Sequence, residues 1–235
     1  MATRSVYAPD ALRIAEGGVL PVAGEEHRHL AVSRTGSGEE VEVFDGTGRV
    51  WPGVVIETRR SETRIRLGPV RTVRPRTAEI ILAPALIRNA AFDWMLEKAV
   101  ELGVAEIVPF RAVRSNETGA GRFGRWQRIV IEATKQSRQY HLPRLRAVSE
   151  FEEVLGIAAA SRIAFSERGR ESLGSAMAGS PVLCLVGPEG GWTEAETDRM
   201  ASEGLRQVHL GSQILRAETA AVLAVGLIAY ELGAL

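Results

Sequence analysis

Cysteine is nearly absent: Cys184 is the single thiol in 235 residues. One thiol excludes an intramolecular disulfide and a cysteine-based zinc cluster. The four histidines, His27, His29, His141 and His209, are scattered and show no H-x-x-x-H spacing, so no metal site is expected. Lysine is almost as scarce. Lys98 and Lys135 are the two, so nearly all positive charge is arginine, which suits bidentate phosphate contacts. Long apolar runs are missing too; residues 220–230 are the most apolar and make about half of the ~20 a spanning helix needs. The N-terminus has no apolar stretch of the secretory kind, so a soluble, cytoplasmic protein without a membrane partner is expected. There is no Gly-Lys-Ser/Thr phosphate loop, no G-x-G-x-x-G fingerprint and no Gly-x-Ser-x-Gly elbow. Net charge is absent as well, with 29 Lys+Arg against 29 Asp+Glu. Taken alone, that balance speaks against a polyanionic partner.

The distribution of charge reverses this inference. Residues 1–72 carry 10 basic and 10 acidic side chains, residues 73–150 carry 13 and 8, and residues 151–235 carry 6 and 11. The net charges are therefore 0, +5 and −5. The sharpest run, 111–146, holds nine basic residues against Glu117 and Glu132. A polyanion-binding face and a solvated basic helix balanced by nearby acids both fit that run. With 45% hydrophobic residues, the chain can bury a core, which excludes whole-chain disorder.

Hydrophobic patterning changes character along the chain. Val41 and Val43 alternate with Glu40 and Glu42, and Ile65 and Leu67 alternate with Arg64 and Arg66. Phe44-Asp45-Gly46-Thr47-Gly48 and Trp51-Pro52-Gly53 read as breaks, so a small barrel-like domain of short antiparallel strands is expected. Residues 68–76 are Pro-punctuated and read as a linker. Beyond them, apolar runs at 80–83, 107–110, 162–165 and 182–186 read as buried strands. They alternate with helices over 90–102, 126–137, 194–203 and about 217–232, with Asn89 as a cap and Gly103 as a stop. Strands alternating with helices imply a mostly parallel sheet covered on both faces.

Two segments carry the chemistry. In the first, Val182-Leu183-Cys184-Leu185-Val186 runs straight into Gly187-Pro188-Glu189-Gly190-Gly191, and Thr193 with Glu196 matches the capping box of the following helix. The glycines therefore sit at the carboxyl end of a strand, where open α/β sheets bind ligands. In the second, Val208-His209-Leu210-Gly211-Ser212-Gln213-Ile214-Leu215-Arg216 leads from an apolar segment into a helix. Arg216 at that amino end opposes the helix dipole, which suggests a task for it. Cys184, set among Val and Leu, reads as a buried small hydrophobe.

These segments, with Phe92-Asp93-Trp94-Met95-Leu96-Glu97-Lys98 and Glu132-Ala133-Thr134-Lys135-Gln136-Ser137-Arg138, closely resemble the RsmE family. Its members are bacterial 16S ribosomal RNA methyltransferases of the SPOUT superfamily that make 3-methyluridine. His29, Leu30 and Arg34, with the segment 44–48, resemble the family's small PUA-like β domain. The order and spacing match over nearly the whole chain. Departures are Arg88-Asn89-Ala90-Ala91, where relatives commonly carry Lys-Gly, and Ala217, where Thr is usual.

The resemblance implies an α/β protein with a small N-terminal PUA-like β-barrel domain (1–72) for RNA recognition. It implies a C-terminal SPOUT-type, trefoil-knotted α/β domain (73–235) for cofactor binding and catalysis. S-adenosyl-L-methionine is the implied cofactor, held by Val186, Gly187, Glu189, Gly190, Gly191, Leu210, Gly211, Ile214, Leu215 and Arg216. The implied partners are a second copy of the chain and 16S ribosomal RNA within the small ribosomal subunit. Arg216, then Arg138, are candidates to stabilise charge on the uracil, and Glu189 to accept a proton or to order its loop. Arg34, Arg111, Arg114, Arg122, Arg125 and Arg138 are the expected RNA contacts. Two alternatives remain open: a non-catalytic RNA-binding assembly factor of the same fold, and a SPOUT methyltransferase acting on another RNA or atom.

Overall fold

The computed structural model describes residues 4–74, 78–115 and 121–235. The chain divides into two compact units, Met1–Pro75 with Thr134–Leu142, and Arg76–Ala133 with Pro143–Leu235. Pro75 and Arg76 of the expected linker, and Glu117 of the basic run, lie outside the described residues.

The first unit contains β1 (Arg4–Tyr7), β2 (Val19–Ala23), helix α1 (Gly24–Val32), β3 (Glu40–Phe44), β4 (Arg49–Thr58), β5 (Glu62–Leu67) and β6 (Arg71–Thr72). Its strands form one sheet in the order β1-β3-β4-β5-β2, with β6 pairing off β4. Only the β1–β3 pair is parallel. The period-two valines do what alternation demands: Val41 and Val43 turn inward and are buried with Leu20, Val22, Leu30, Val55, Ile65 and Leu67.

Two segments of this unit depart from the pattern their residues suggest. Pro52-Gly53 does not break the chain but lies inside β4, opposite Glu42 and Val41. Pro52 is exposed, and a Cβ on Gly53 would sit 2.7 Å from Ile65 Cγ2, so the glycine is there for close packing. Part of the expected linker is structured, because Arg71 and Thr72 pair with Val50 and Arg49.

Segment 134–142 belongs to this unit, which the boundary drawn at 72/73 did not anticipate. The buried Lys135 pairs with Glu26 at 3.0 Å. Tyr140 packs edge-on against Phe44, and its hydroxyl donates to Glu42 at 2.6 Å. Arg71 donates to the same carboxylate at 2.7 Å and lies over the Tyr140 ring.

The second unit holds β7 (Ile80–Pro84), α2 (Asn89–Glu101), β8 (Glu106–Ile107), β9 (Phe110–Arg111), α3 (Phe123–Gln136), β10 (Arg144–Leu145), β11 (Ser149–Glu150), α4 (Phe151–Leu155), β12 (Ser161–Phe165), α5 (Leu173–Ala176), β13 (Val182–Val186), α6 (Glu194–Ser202), β14 (Arg206–Val208) and α7 (Ala217–Glu231); the end of α3 passes into the first unit. The main sheet runs β10-β8-β7-β13-β12-β14, with every neighbouring pair parallel. β13 is buried along its whole length, as expected of a strand covered on both faces. One face meets Val154, Leu155, Met200 and Leu205; α7 packs on β7, β13 and α2.

The helices differ from expectation in detail. The N-cap of α2 is Arg88, with no side-chain cap, and Asn89 is the first helical residue. The Arg88 amide is instead held by Glu189 Oε1 at 3.1 Å. The single strand expected over 107–110 is two short pieces. Pro109 offers no N–H to continue the ladder, so β8 stays in the main sheet while β9 pairs with β11. No described helix is long and apolar enough to cross a membrane.

Candidate functional site

β13 enters the sheet between β7 and β12, although both precede it in the chain. Its carboxyl end therefore opens at a reversal of strand order, where parallel sheets leave a crevice. Three loops surround a cavity of about 350 Å³ there. The first is the glycine-rich loop after β13, contributing Val186, Gly187, Pro188, Gly190, Gly191 and Trp192. The second follows β14 and contributes Leu210, Gly211, Ser212, Gln213, Ile214 and Leu215. The third, Ser166–Glu167–Arg168 after β12, escaped the sequence reading. Its signal was available: it leaves the carboxyl end of a strand of the same kind.

The first loop is held rigidly. Trp192 Nε1 donates to the Phe165 carbonyl at 2.8 Å, and its ring lies nearly parallel to Phe110 with centroids 6.1 Å apart. The ring also lies against Gly187, where a Cβ would be 2.9 Å from Trp192 Cε2. The capping box forms as read: Thr193 Oγ1 accepts from the Glu196 amide at 3.2 Å, and Glu196 Oε2 accepts from the Thr193 amide at 2.8 Å. Glu196 is almost fully buried and also accepts from the Val113 amide through Oε1 at 2.9 Å. Such buried carboxylates persist only when their lone pairs are used. In the second loop Gly211 adopts φ +108°, a conformation side chains resist.

The remaining candidate residues fall in several places. Glu189 is exposed, does not line the cavity, and orders the start of α2 through the Arg88 amide. Arg216 is exposed at the N-cap of α7 beside the cavity-lining Leu215, and it forms no ion pair with a described residue. Glu218, two residues on, carries the acid that suits this helix end. Arg138 belongs to the first unit, with φ 53°, and is not among the residues lining this cavity. Arg34 shares that unusual conformation, φ 54°, at the end of α1.

The basic run is largely matched by acids. Arg111 meets Glu150 at 2.8 Å, Arg125 meets Asp93 at 2.8 Å, Arg122 lies 3.8 Å from Asp93, and Arg146 is hydrogen-bonded to Glu106. The Arg111–Glu150 pair is exposed on both sides, and exposed pairs contribute little. Arg114 differs, since it lines the cavity and bonds to backbone carbonyls.

Cys184 is fully buried, and burial pushes its thiol up to about 12, which removes it as a nucleophile. Among the described residues no group of three His, Cys, Asp or Glu is placed to hold a metal ion.

Comparison with known proteins agrees with this geometry. A family model described as an RNA methyltransferase domain matches residues 74–229. The ribosomal RNA small subunit methyltransferase E of Synechocystis sp. is 30% identical, over 96% of this chain and 76% of its own. The protein of the same name from Mycobacterium bovis is 32% identical, over 89% and 86%. A crystal structure of the Neisseria gonorrhoeae ribosomal RNA small subunit methyltransferase E bound to S-adenosyl methionine superposes with a TM-score of 0.91 at 28% identity, covering 97% of this chain and 98% of that one. Its family model spans the unit that carries the cavity, and its relatives align along nearly the full length: the chain belongs to the ribosomal RNA small subunit methyltransferase E family.

Proposed function

We propose that this protein transfers a methyl group from S-adenosylmethionine to N3 of a uridine in 16S ribosomal RNA, within the small ribosomal subunit and in the cytoplasm. The observation that carries the proposal is the convergence of the 187–192 and 210–215 loops on one cavity, in a chain of this family. The cavity fits the cofactor chemically. Glycine backbone on two sides, apolar Val186, Ile214 and Leu215, and charged Glu167 and Arg168 suit a flat base, a ribose and a zwitterionic amino-acid end.

When bound, the cofactor supplies an activated methyl carbon for in-line displacement. The protein's share is positioning and electrostatics. The two loops hold the donor at attack distance from the uracil. Uridine N3 must lose its proton, which passes to water, and Arg216 stabilises the charge that then spreads onto the flanking carbonyl oxygens. Arg138 is the second candidate for that role. Glu189 serves mainly to order the loop, as its bond to the Arg88 amide supports. Arg34, Arg111, Arg122, Arg125 and Arg138 contact phosphates and position the RNA.

The domain roles follow: residues 1–72, joined by segment 134–142, form a PUA-like barrel that reads RNA, and the rest of 73–235 forms a SPOUT domain with a trefoil knot. The protein acts as a homodimer. Leu223, Leu227 and Tyr230 are exposed at helical spacing on α7, which is apolar on all sides, and Trp94 of α2 is exposed as well.

The deciding experiment is nucleoside mass spectrometry of 16S ribosomal RNA from a strain lacking this protein. Loss of one 3-methyluridine, restored by the gene, is expected. Persistence of the modification refutes the assignment.

A further inference from the structure

We infer that Arg114 is a positioning residue for the cofactor loop, and not a contact to RNA. Its own sequence neighbourhood, an arginine-rich run, suggests a phosphate contact; its surroundings assign it elsewhere. One guanidinium nitrogen, Nη1, donates to the Gly190 carbonyl at 2.7 Å and reaches the Trp192 carbonyl at 3.4 Å. The side chain lies flat on the loop, since a Cβ on Gly190 would be 3.1 Å from Arg114 Cβ and 3.2 Å from its Cδ. Gly190 thus provides the space that lets the arginine stem approach.

The turn bearing Arg114 is itself fixed to the same place. The Val113 amide donates to Glu196 Oε1 at 2.9 Å, on the carboxylate that caps α6. Ser115 Oγ accepts from the Ala112 amide at 2.9 Å, and the Ser115 amide donates back to the Ala112 carbonyl at 3.0 Å. The carboxyl half of the glycine-rich loop and the helix that follows it are therefore tied to one short turn. Arg114 ties carbonyls 190 and 192, and Val113 ties the first turn of the next helix.

Arg111, Arg122 and Arg125 each meet a carboxylate, and Arg114 meets none among the described residues. Its charge is directed to carbonyl dipoles, which turns those carbonyls toward the arginine, while the Gly191 amide is held by the Pro188 carbonyl at 2.8 Å. Charge-assisted bonds to this loop matter because glycine backbone without them has more conformations to choose from, which the ligand would otherwise have to freeze out.

This inference rests on the cofactor reading of the cavity, and the test separates the two. Calorimetry with S-adenosylmethionine, filter binding with deproteinised 16S ribosomal RNA, and steady-state kinetics are run on wild type, Arg114→Ala, Arg114→Lys and Arg111→Ala. Arg114→Ala is expected to raise the cofactor Kd and KM about tenfold, with kcat recovered at saturating cofactor and RNA affinity within about twofold of wild type. Arg114→Lys restores part of the cofactor affinity, because an ammonium can donate to carbonyl 190 but sits on a shorter side chain than the Nη1 that reaches both carbonyls. Arg111→Ala shows the opposite split. Unchanged cofactor affinity in Arg114→Ala, or an RNA loss as large as the cofactor loss, overturns the inference. Failure of the wild type to bind cofactor would instead refute the proposed function. In that event, hydrogen exchange still decides on Arg114: amides 190–192 must exchange faster in Arg114→Ala than in wild type, and unchanged exchange overturns the assignment.

Discussion

Gly187→Ala is the sharpest test of the site. The added methyl would sit 2.9 Å from Trp192 Cε2 and 3.2 Å from Cδ2 and Nε1. Real Cβ contacts are not that short, so something must move. The indole is poorly able to do so. Its Nε1 is bonded to the Phe165 carbonyl at 2.8 Å, and its ring packs against Phe110 and Phe151, each with a centroid distance of 6.1 Å. Overpacking of a well-filled site costs about 1–3 kcal/mol. At roughly 2–4 °C per kcal/mol for a chain of this size, the melting point should fall by several degrees. If the strain is relieved by displacing the loop, the same energy appears as a cofactor Kd raised roughly five- to 150-fold. Thermal denaturation with and without S-adenosylmethionine, together with calorimetry, measures both. Gly187→Ala combined with Trp192→Leu removes the clash and should recover much of the binding, a non-additive result expected of neighbours in contact. A Gly187→Ala protein with wild-type melting and wild-type cofactor Kd would refute the description of this loop as a close-packed cofactor wall.

Three further outcomes follow. Arg216→Ala should leave cofactor affinity unchanged and lower the methyl-transfer rate by about 10²–10³-fold, the loss typical of one removed oxyanion donor; full methylation by this variant would end that role for Arg216. RNA affinity should fall steeply with salt, and Arg111→Ala should reduce the logarithmic salt slope by about 1, whereas a flat dependence counts against a phosphate-binding face. In the first unit, burial alone would raise the Glu42 carboxyl, but hydrogen bonds from Tyr140 and Arg71 and the arginine charges hold it below its ordinary value of 4.5. A depressed carboxylate stabilises above its unfolded value and loses that contribution on acidification. Tyr140→Phe should therefore cost about 1 kcal/mol at neutral pH, and its melting-point deficit should shrink once the pH drops well below the carboxylate range; a deficit independent of pH would contradict the pairing.

Much of the α/β unit was legible because it rests on local rules. A five-residue apolar run at 182–186, glycines directly after it, and Thr193 three residues before Glu196 together specify strand, loop and capped helix. Each signal involves residues within hydrogen-bonding or packing range along the chain. The readings that failed did so for equally physical reasons. Pro52-Gly53 looks like a turn, but both residues stay in register with β3 inside β4, and a close Ile65 requires the missing side chain. Asn89 looks like a cap, but Glu189, a hundred residues away, already holds the preceding amide.

The sequence by itself determined that two glycine-containing loops follow strands of a parallel sheet, and its motifs were enough to identify the family. It also determined that positive charge concentrates between 111 and 146. Only the tertiary structure decided that the loops after β12, β13 and β14 share one cavity, because that depends on β12 lying between the other two in the sheet. Strand order is a non-local choice, set by which apolar faces bury one another, and no spacing along the chain encodes it. The same holds for the arginines. Sequence counts their charges, but the fold chooses their partners, sending Arg111 to a carboxylate and Arg114 to the carbonyls of the cofactor loop.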